Sequence, residues 1–386
     1  MILYLSSGID EDLFFQYQQK GYIKTGFQAQ KFNSLVIQGL AYYKKVVAIS
    51  NPPYVKMSCD IELVRQAGSN TEYICLGNNP GYLHKVKNLK KMIMESKKAC
   101  KKYNIDAIIC DTINPLASLT ATYIANKYGI PKIAIVTDLP TYMDKGKETF
   151  FTKLTQSLLE RYEGYILLTK AMNKIANPRH KPYMIMEGLC EKKVDYLKTY
   201  YLEEPKKFIC LYTGSVCKNN GIEQFVAGFL KANIKNSELW IYGPGNYVDE
   251  IKIIAEKHKN IKYFGITSNR EILEIQKRVS LLINPRPTDI SYGEFSFPSK
   301  VMEYMASGTP LLTTHLPGIP EEYFNYVYEA ECSEEGFSAV LKHLTAIPGE
   351  ELRKKGLSAQ KYVQNKKNHL VQAKRIIEFL EYCKND

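Results

Sequence analysis

The sequence predicts an α/β protein with two doubly wound, Rossmann-like domains. At 386 residues the chain is longer than one ordinary domain, and two domains of roughly 180–200 residues are expected. Apolar runs of strand length alternate with helical patterns in both halves, which is typical of parallel sheets covered by helices. The alternation pauses near Pro182–Gly188 and starts again after a charged, tyrosine-rich segment.

We therefore predict three parts. Residues 1–188 form an N-terminal α/β domain, and residues 189–368 form a C-terminal α/β domain that faces it across a cleft. Residues 369–386 form a C-terminal helix that can cross back onto the first domain. In open parallel sheets ligands bind at the carboxyl ends of the strands, so functional residues are expected in the loops that follow them.

Each domain repeats strand, loop and helix. The predicted strands of the first half are Ile2–Leu5, Val46–Ser50, Glu72–Leu76, Ala107–Cys110, Lys132–Val136 and Gly164–Leu168. Those of the second half are Phe208–Thr213, Glu238–Tyr242, Ile261–Phe264, Leu281–Ile283 and Leu311–Thr313. The predicted helices include Leu116–Tyr128, Ile222–Lys231, Arg270–Arg278, Ala339–Leu344, Leu352–Asn365 and His369–Lys384.

Composition narrows the class of protein. The longest apolar runs have the length of a strand and fall far short of a membrane span, and the N-terminus reads as a strand rather than a signal peptide. The nine cysteines form no C-x-x-C pair, so neither a disulfide framework nor a zinc site is expected. We therefore expect a cytoplasmic protein. Its net charge of +12 indicates an anionic partner.

Much of this charge lies between His84 and Lys102, where eight lysines are opposed by Glu95 alone. Apolar residues recur there at helical spacing and predict an amphipathic helix with an inward apolar stripe: Val86, Leu89, Ile93, Cys100 and Tyr103. Its basic face is either a solvated surface or a site for anionic lipid headgroups at the inner face of the cell membrane. The membrane-docking candidates are Lys87, Lys90, Lys91, Lys97, Lys98 and Lys101. Nucleic acid is not expected, because no nucleic-acid motif accompanies the lysines.

The most informative segment runs from Asn284 to Thr314. It places a strand, a polar loop, a helix and a second strand within about one βαβ unit. The helix should open at Phe297-Pro298-Ser299, because proline has no N–H to lose in a first turn, and stop at Gly308. A helix start presents unpaired N–H groups and a partial positive charge, so this segment predicts an anion site.

Three side chains near this helix start suit a nucleotide sugar. Lys300 adds a full positive charge, and Arg286 carries a planar fork suited to phosphate. Glu303, one turn further along the helix, can accept hydrogen bonds from a sugar diol. We therefore predict a nucleotide-sugar site in which Arg286 and Lys300 are catalytic, because they stabilise the leaving group.

Three segments of the second half resemble the donor domain of two-domain GT-B glycosyltransferases, specifically the retaining family-4-like group. They are Tyr212-Thr-Gly-Ser-Val, Trp240-Ile-Tyr-Gly-Pro-Gly245 and residues 284–314. The last segment is similar to members that work in bacterial capsule and exopolysaccharide biosynthesis. The first half matches only in the order of its elements and in Val136-Thr-Asp-Leu-Pro140.

The resemblance implies a hexosyltransferase of cell-surface polysaccharide assembly. It would move a sugar, with retention, from a nucleoside diphosphate sugar to a lipid-linked glycan acceptor, and a UDP-sugar is the favoured donor. Neither a cofactor nor a metal ion is expected, because fixed cations and helix dipoles can stabilise the leaving diphosphate. Two alternatives stay open: a non-catalytic GT-B partner subunit of another glycosyltransferase, and a nucleotide-sugar epimerase of the same fold.

The resemblance also implies donor-binding residues, with two departures from the family pattern. Gly214 would let the backbone approach the diphosphate, but the arginine that commonly follows is Ser215 here, and Lys218 only lies close to the family's lysine position. Of the family's two glutamates, the ribose-binding one corresponds to Glu303, whereas the hexose-binding one falls on Phe295. The remaining donor-binding candidates are Gly243, Gly245, Glu294, Ser296, Phe297 and Ser299.

In the first half, Asp138 is the candidate catalytic carboxylate, because it follows the predicted strand Lys132–Val136. It could deprotonate an acceptor hydroxyl or stabilise the developing positive charge of the sugar. A turn-forming aspartate is the alternative. Asp111 follows the predicted strand Ala107–Cys110 in a similar way, with weaker support.

Overall fold

The computed structural model describes residues 1–23, 28–52, 64–68, 70–77, 82–140, 150–193, 207–288 and 293–385. The chain divides into two compact units. Unit 1 comprises Met1–Glu191 and Lys367–Asp386, and unit 2 comprises Lys192–Lys366. The C-terminal helix is therefore part of unit 1.

The described residues of unit 1 form an eight-stranded sheet. Its strands are β1 Ile2–Ser6, β2 Val46–Ser50, β3 Val64–Ala67, β4 Thr71–Cys75, β5 Ala107–Asp111, β6 Lys132–Val136, β7 Gly164–Leu167 and β8 Tyr183–Ile185. Their order is β3-β4-β2-β1-β5-β6-β7-β8. The pairing of β3 with β4 is antiparallel, and the other neighbours are parallel.

Helices cover both faces of this sheet. They are α1 Glu11–Gln19, α2 Gln28–Tyr43, α3 Tyr82–Lys102, α4 Pro115–Tyr128, α5 Phe150–Leu159, α6 Asn173–Ala176 and α13 His369–Asn385. Val46 and Ala48 of β2 join a core with α2 and α13, whereas Val47 points to the opposite face and lies beside α3. This alternation along β2 shows that α3 packs on the face opposite α2 and α13.

Local sequence signals set the ends of α4. The side chain of Asn114 accepts hydrogen bonds from the N–H groups of Leu116 and Ala117, and Pro115 occupies the first turn. Gly129 ends the helix with a φ of 64°, a conformation that glycine adopts without strain. The Asn114 cap therefore fixes the loop that joins Asp111, at the end of β5, to the start of α4.

The C-terminal helix is fixed to unit 1 where the chain returns from unit 2. Lys367 Nζ lies 3.0 Å from Glu187 Oε1, and both side chains are buried. The Cys190 N–H donates to the Lys367 carbonyl over 3.1 Å, and the His369 N–H donates to the Cys190 carbonyl over 2.8 Å. A buried ion pair and two backbone hydrogen bonds therefore hold the start of α13.

The described residues of unit 2 form a six-stranded, all-parallel sheet. Its strands are β9 Phe208–Thr213, β10 Ser237–Tyr242, β11 Ile261–Gly265, β12 Leu281–Asn284, β13 Leu311–Thr314 and β14 Tyr328–Ala330. Their order is β11-β10-β9-β12-β13-β14. The helices are α7 Ile222–Ala232, α8 Val248–Lys257, α9 Asn269–Gln276, α10 Ser299–Ser307, α11 Glu334–Ala346 and α12 Gly349–Lys366, with 3-10 turns at Lys218–Asn220, Gly293–Phe295 and Glu321–Asn325.

The core of unit 2 lies between one face of this sheet and the helices α7, α8 and α11. The rings of Phe225 and Phe337 meet edge to face at 5.2 Å, and a Cβ on Gly228 would lie 2.6 Å from that of Phe337. Tyr212 belongs to this core, so the next residue, Thr213, faces the opposite side of the sheet.

The prediction of two doubly wound α/β domains is confirmed. The interior strands were found because they are buried on both faces and therefore read as continuous apolar runs. The prediction that the alternation of strands and helices pauses at Pro182–Gly188 is wrong, because β8 lies there. This strand is a three-residue edge strand whose residues are exposed or half-buried. Across the described ranges, no helix is both long enough and apolar enough to cross a membrane.

Candidate functional site

Two glycine loops meet at the carboxyl end of the unit 2 sheet. The loop after β9 donates from Gly214 N–H to Tyr242 O over 3.0 Å and from Val216 N–H to Pro244 O over 2.8 Å. A Cβ on Gly243 would lie 1.8 Å from the Gly214 carbonyl oxygen, and one on Gly245 would lie 1.9 Å from that of Val216. Packing of one loop against the other therefore accounts for both glycines.

Gly214 differs from those two glycines. Its φ of +145° disfavours other residues, yet the nearest atom to a Cβ placed there is the Tyr212 hydroxyl at 3.9 Å. The backbone of Gly214 thus has an open side, as expected for a residue that a phosphate group approaches closely.

The rest of the β9 loop is held by hydrogen bonds to one carbonyl. The Tyr212 hydroxyl and the Asn220 amide each donate to the Ser215 carbonyl over 2.7 Å, and the Ser215 side chain is exposed. Lys218 pairs with Glu223 at 3.1 Å and lies 5.0 Å from the centre of the Tyr247 ring. Lys218 thus has an ion-pair partner and a ring contact at the exposed surface of this loop.

The β9 loop also rests on the loop after β12. Gly221 has a φ of 75°, and a Cβ there would lie 1.7 Å from the Pro285 carbonyl oxygen. This contact brings the next residue, Arg286, close to the β9 strand end. Burial raises the pKa of Tyr212, and the positive charge of Arg286 opposes that rise.

Helix α10 is tied to the end of β9 by one hydroxyl group. The N–H of Thr213 donates to Tyr304 Oη over 3.0 Å, and the two hydroxyls lie 2.8 Å apart. Tyr304 Oη also donates to the Thr213 carbonyl over 3.1 Å. Burial raises the pKa of Tyr304, and its contacts with Thr213, the residue before Gly214, tie α10 to the end of β9.

The start of α10 suits an anion. Pro298 occupies the N-cap and gives no side-chain cap to the helix. The Val301 N–H donates to the Pro298 carbonyl over 2.9 Å, and the N–H groups that precede it in the first turn are suited to donate to an anion. Ser299, the first helical residue, is exposed. Lys300 Nζ lies 2.8 Å from Glu303 Oε1, which keeps a positive charge within the first turn.

Glu303 is oriented by two donors. Its Oε1 accepts from Lys300 and, over 2.8 Å, from the Gln276 amide. Gln276 is the last residue of α9 and is fully buried. Sequence reasoning missed Gln276 as a positioning residue, because a glutamine at the end of a helix carries no local signal of such a contact.

The donor-binding candidates in the segment before α10 differ in burial and in their contacts. Phe297 is 5% exposed and its ring packs 5.4 Å from that of Tyr323, so its side chain belongs to the core. A Cβ on Gly318 would lie 2.1 Å from the Ser296 carbonyl oxygen, so protein covers that carbonyl. Glu294 is exposed and remains a candidate for sugar contacts.

A buried carboxyl group lies at the carboxyl edge of the unit 1 sheet. Asp111 accepts from Asn33 Nδ2 over 2.9 Å and from Ile113 N–H over 3.2 Å, and Asn33 itself accepts from the Tyr4 hydroxyl over 2.6 Å. Burial raises the pKa of Asp111 to about 6; the two hydrogen bonds oppose the rise, and the negative charge of Asp138 adds to it. Asp138 itself is exposed.

The structure brings Gly214, Arg286, Lys300 and Glu303 to one edge of unit 2, whereas Asp138 belongs to unit 1. Among the residues that the structure describes, no group of three or more histidine, cysteine, aspartate or glutamate side chains is arranged to hold a metal ion. The arrangement in unit 2 can therefore bind an anion through backbone N–H groups and two cations, with a carboxylate one turn away.

Comparisons with known proteins identify the fold. Residues 207–346 match the family model described as Glycosyl transferases group 1. No curated protein matches the chain significantly. Among solved structures, the sucrose-phosphate synthase of Thermosynechococcus elongatus superposes with a TM-score of 0.70 at 14% identity, over 99% of this chain and 98% of that one.

Two further structures cover 98% of this chain and 99% of their own. HepE of Anabaena in complex with UDP and glucose has a TM-score of 0.65 at 12% identity. The E. coli structure described as trehalose-6-phosphate bound with UDP-2-fluoro glucose has a TM-score of 0.71 at 10% identity. The fold is therefore that of GT-B glycosyltransferases, as predicted, while the capsule and exopolysaccharide assignment stays a prediction.

We expect Tyr304→Phe to destabilise unit 2 by about 1–3 kcal/mol, because the buried N–H and hydroxyl of Thr213 lose their partner. Trp240, the one tryptophan of the chain, lies in β10, so its fluorescence in urea reports the unfolding of this unit. Tyr362→Phe is the control, since that hydroxyl bonds to Glu322 at an exposed position and should matter little. Equal losses in the two variants would contradict the anchoring role.

Asp111 predicts a pH dependence of stability. Its pKa is raised from 3.8 to about 6, so the folded state holds a proton more tightly than the unfolded state. Its contribution to stability therefore falls as pH rises from about 4 to about 6, by on the order of 2 kcal/mol. The stability of Asp111→Asn relative to wild type should rise by that amount over this range. Thermal melting across pH measures it, with the surface variant Asp249→Asn as the control; a pH-independent difference would contradict the assignment.

Proposed function

We propose that the chain is a retaining glycosyltransferase that moves a hexose from a UDP-sugar to a lipid-linked glycan acceptor in cell-surface polysaccharide assembly. The observation that carries the proposal is the group at the carboxyl edge of unit 2: Gly214, Arg286, Lys300 and Glu303. The family model over residues 207–346 supports it. So does the fold shared with proteins solved with UDP and glucose or with UDP-2-fluoro glucose.

In this proposal the diphosphate lies over the open side of Gly214 and meets the N–H groups at the start of α10. Lys300 has three N–H donors, so its bond to Glu303 leaves donors for a phosphate oxygen. Arg286 adds a second cation with a planar fork. These fixed groups stabilise the negative charge on the leaving diphosphate, and the enzyme would need no metal ion for this step.

Glu303 would bind the ribose. Lys300 and Gln276 hold its carboxylate from one side, so it meets the diol already oriented. At the edge of unit 1, the exposed Asp138 would serve the acceptor hydroxyl as a base or the sugar as a stabilising charge.

A non-catalytic GT-B partner subunit is the second candidate. Ser215 and Phe295 stand where the family pattern has an arginine and a glutamate, and Lys218 is engaged by Glu223. These departures would weaken binding of the diphosphate and of the hexose. A catalytic subunit needs that binding more than a structural partner does.

Lys300 and Glu303 should recognise different parts of the nucleotide. We expect Lys300→Ala to weaken UDP binding by about tenfold or more and to weaken uridine binding much less, because the phosphate contact is lost while Gln276 still holds the ribose-binding Glu303. Glu303→Gln should weaken both ligands, because ribose is common to them. Lys277→Ala, which removes the lysine of a similar i,i+3 pair with Glu274, is the matched control and should bind normally. Calorimetric titration measures all four proteins; equal losses of UDP and uridine in Lys300→Ala would remove the phosphate role.

Release of nucleotide from a donor sugar tests whether the chain is an enzyme. A thermal-shift screen of nucleoside diphosphates and their sugars first finds the donor, because a ligand of the native state raises the melting temperature. Wild type should then release nucleotide from that donor, and Arg286→Ala should lower the rate about 10²–10³-fold. If wild type releases none from any donor that binds, with or without glycan acceptors, the non-catalytic reading is correct.

A further inference from the structure

One face of α3 in unit 1 is an exposed basic stripe. Residues at i, i+4, i+7, i+11 and i+14 of a helix share a face, and in α3 these positions are Lys87, Lys91, Met94, Lys98 and Lys101. All five are exposed. Lys90 and Lys97 flank the stripe on one side and Lys102 on the other. At about 1.5 Å per residue, the stripe extends for roughly 21 Å along the helix.

In the part of the chain that the structure describes, acidic side chains pair with only one lysine of this stripe, Lys98. Glu95 is 1% exposed and faces inward, where it accepts from Lys98 over 2.8 Å. Lys102 lies at the end of the helix, 3.5 Å from Glu72. In the parts of the chain that the structure describes, Lys87, Lys90, Lys91 and Lys101 have no acidic partner within ion-pair distance.

Apolar side chains lie among the lysines on the same surface. Met94, at the centre of the stripe, is 47% exposed and Val86 is 42% exposed, so the expectation that Val86 faces inward is wrong. The surface continues onto α4, where Lys97 Nζ lies 4.8 Å from the centre of the Tyr123 ring. Tyr123 is 40% exposed, and Lys127 lies one turn further on the same face of α4. We call these residues of α3 and α4 the lysine–methionine surface.

We propose that the lysine–methionine surface docks unit 1 onto an anionic phospholipid bilayer. The lysines meet headgroup phosphates, and Met94, Val86 and Tyr123 enter the boundary between headgroups and acyl chains, as in other interfacial helices. An exposed methionine at the centre of the basic stripe favours a bilayer over a nucleic acid, because a phosphate backbone offers it no apolar contact. The purpose of docking, access to a lipid-linked acceptor, rests on the proposed function; the docking itself does not.

Co-sedimentation with vesicles tests the surface on the full chain. Phosphatidylcholine vesicles that contain phosphatidylglycerol should bind wild type, with binding that weakens as salt is raised; vesicles of phosphatidylcholine alone should bind little. The triple variant Lys87→Glu/Lys91→Glu/Lys101→Glu should bind at least 100-fold more weakly, at about fivefold or more per charge. Lys252→Glu/Lys257→Glu/Lys259→Glu, an equal charge change on exposed residues of unit 2, should bind as wild type does.

Met94→Ser separates insertion from charge. It should weaken vesicle binding about threefold to tenfold at every salt concentration and leave the slope of binding against salt concentration unchanged.

Equal loss of vesicle binding in the two triple variants would show that only net charge matters and would overturn the proposal. Binding to transfer RNA that requires the same lysines, without binding to anionic vesicles, would overturn it in favour of nucleic acid. Titration of the same proteins with UDP distinguishes a failure of the docking proposal from a failure of the proposed function, because the α3 variants should keep any nucleotide binding.

Discussion

The candidate donor site depends on the hydroxyl of Tyr304, which bonds to the N–H, hydroxyl and carbonyl of Thr213. Thr213 ends β9 and is followed by Gly214, while Tyr304 follows Glu303 in α10. Hydrogen bonds in a buried environment hold a narrow range of distance and angle. This one contact therefore sets the separation between an open glycine loop and a helix start that carries Lys300, the two features on which the proposed anion site depends.

Backbone packing supports that arrangement. Carbonyl oxygens fill the space where a Cβ would stand at Gly221, Gly243 and Gly245, so these loops can only approach one another as glycines. Gly214 lacks such a neighbour, and this difference separates a glycine kept for packing from one that leaves room for a ligand. A glycine-rich pattern in a sequence contains both kinds without distinguishing them.

Much of the fold could be predicted from sequence, because interior parallel strands such as Val46–Ser50 and Phe208–Thr213 are continuous apolar runs with local helix signals between them. Of the four edge strands in the described sheets, only β11 was predicted; β3, β8 and β14 are short, and their pairing depends on distant neighbours. Dependence on distant neighbours also explains the error in α3. A periodic pattern predicted this helix correctly but assigned Val86 to the inward face. Contacts with α4 and β2 set the rotation of α3 and bury Glu95 instead.

For the candidate donor site, local sequence suggests Arg286, Lys300 and Glu303, since a strand end, a helix start and the chemistry of a charged side chain are all properties of neighbouring residues. Whether a side chain near this site is buried, paired or exposed could come only from the tertiary structure. Phe297 is buried against Tyr323, and Gln276 reaches Glu303 from another helix. Burial and pairing of this kind join residues far apart in the chain, and they decide which side chains are committed to the fold.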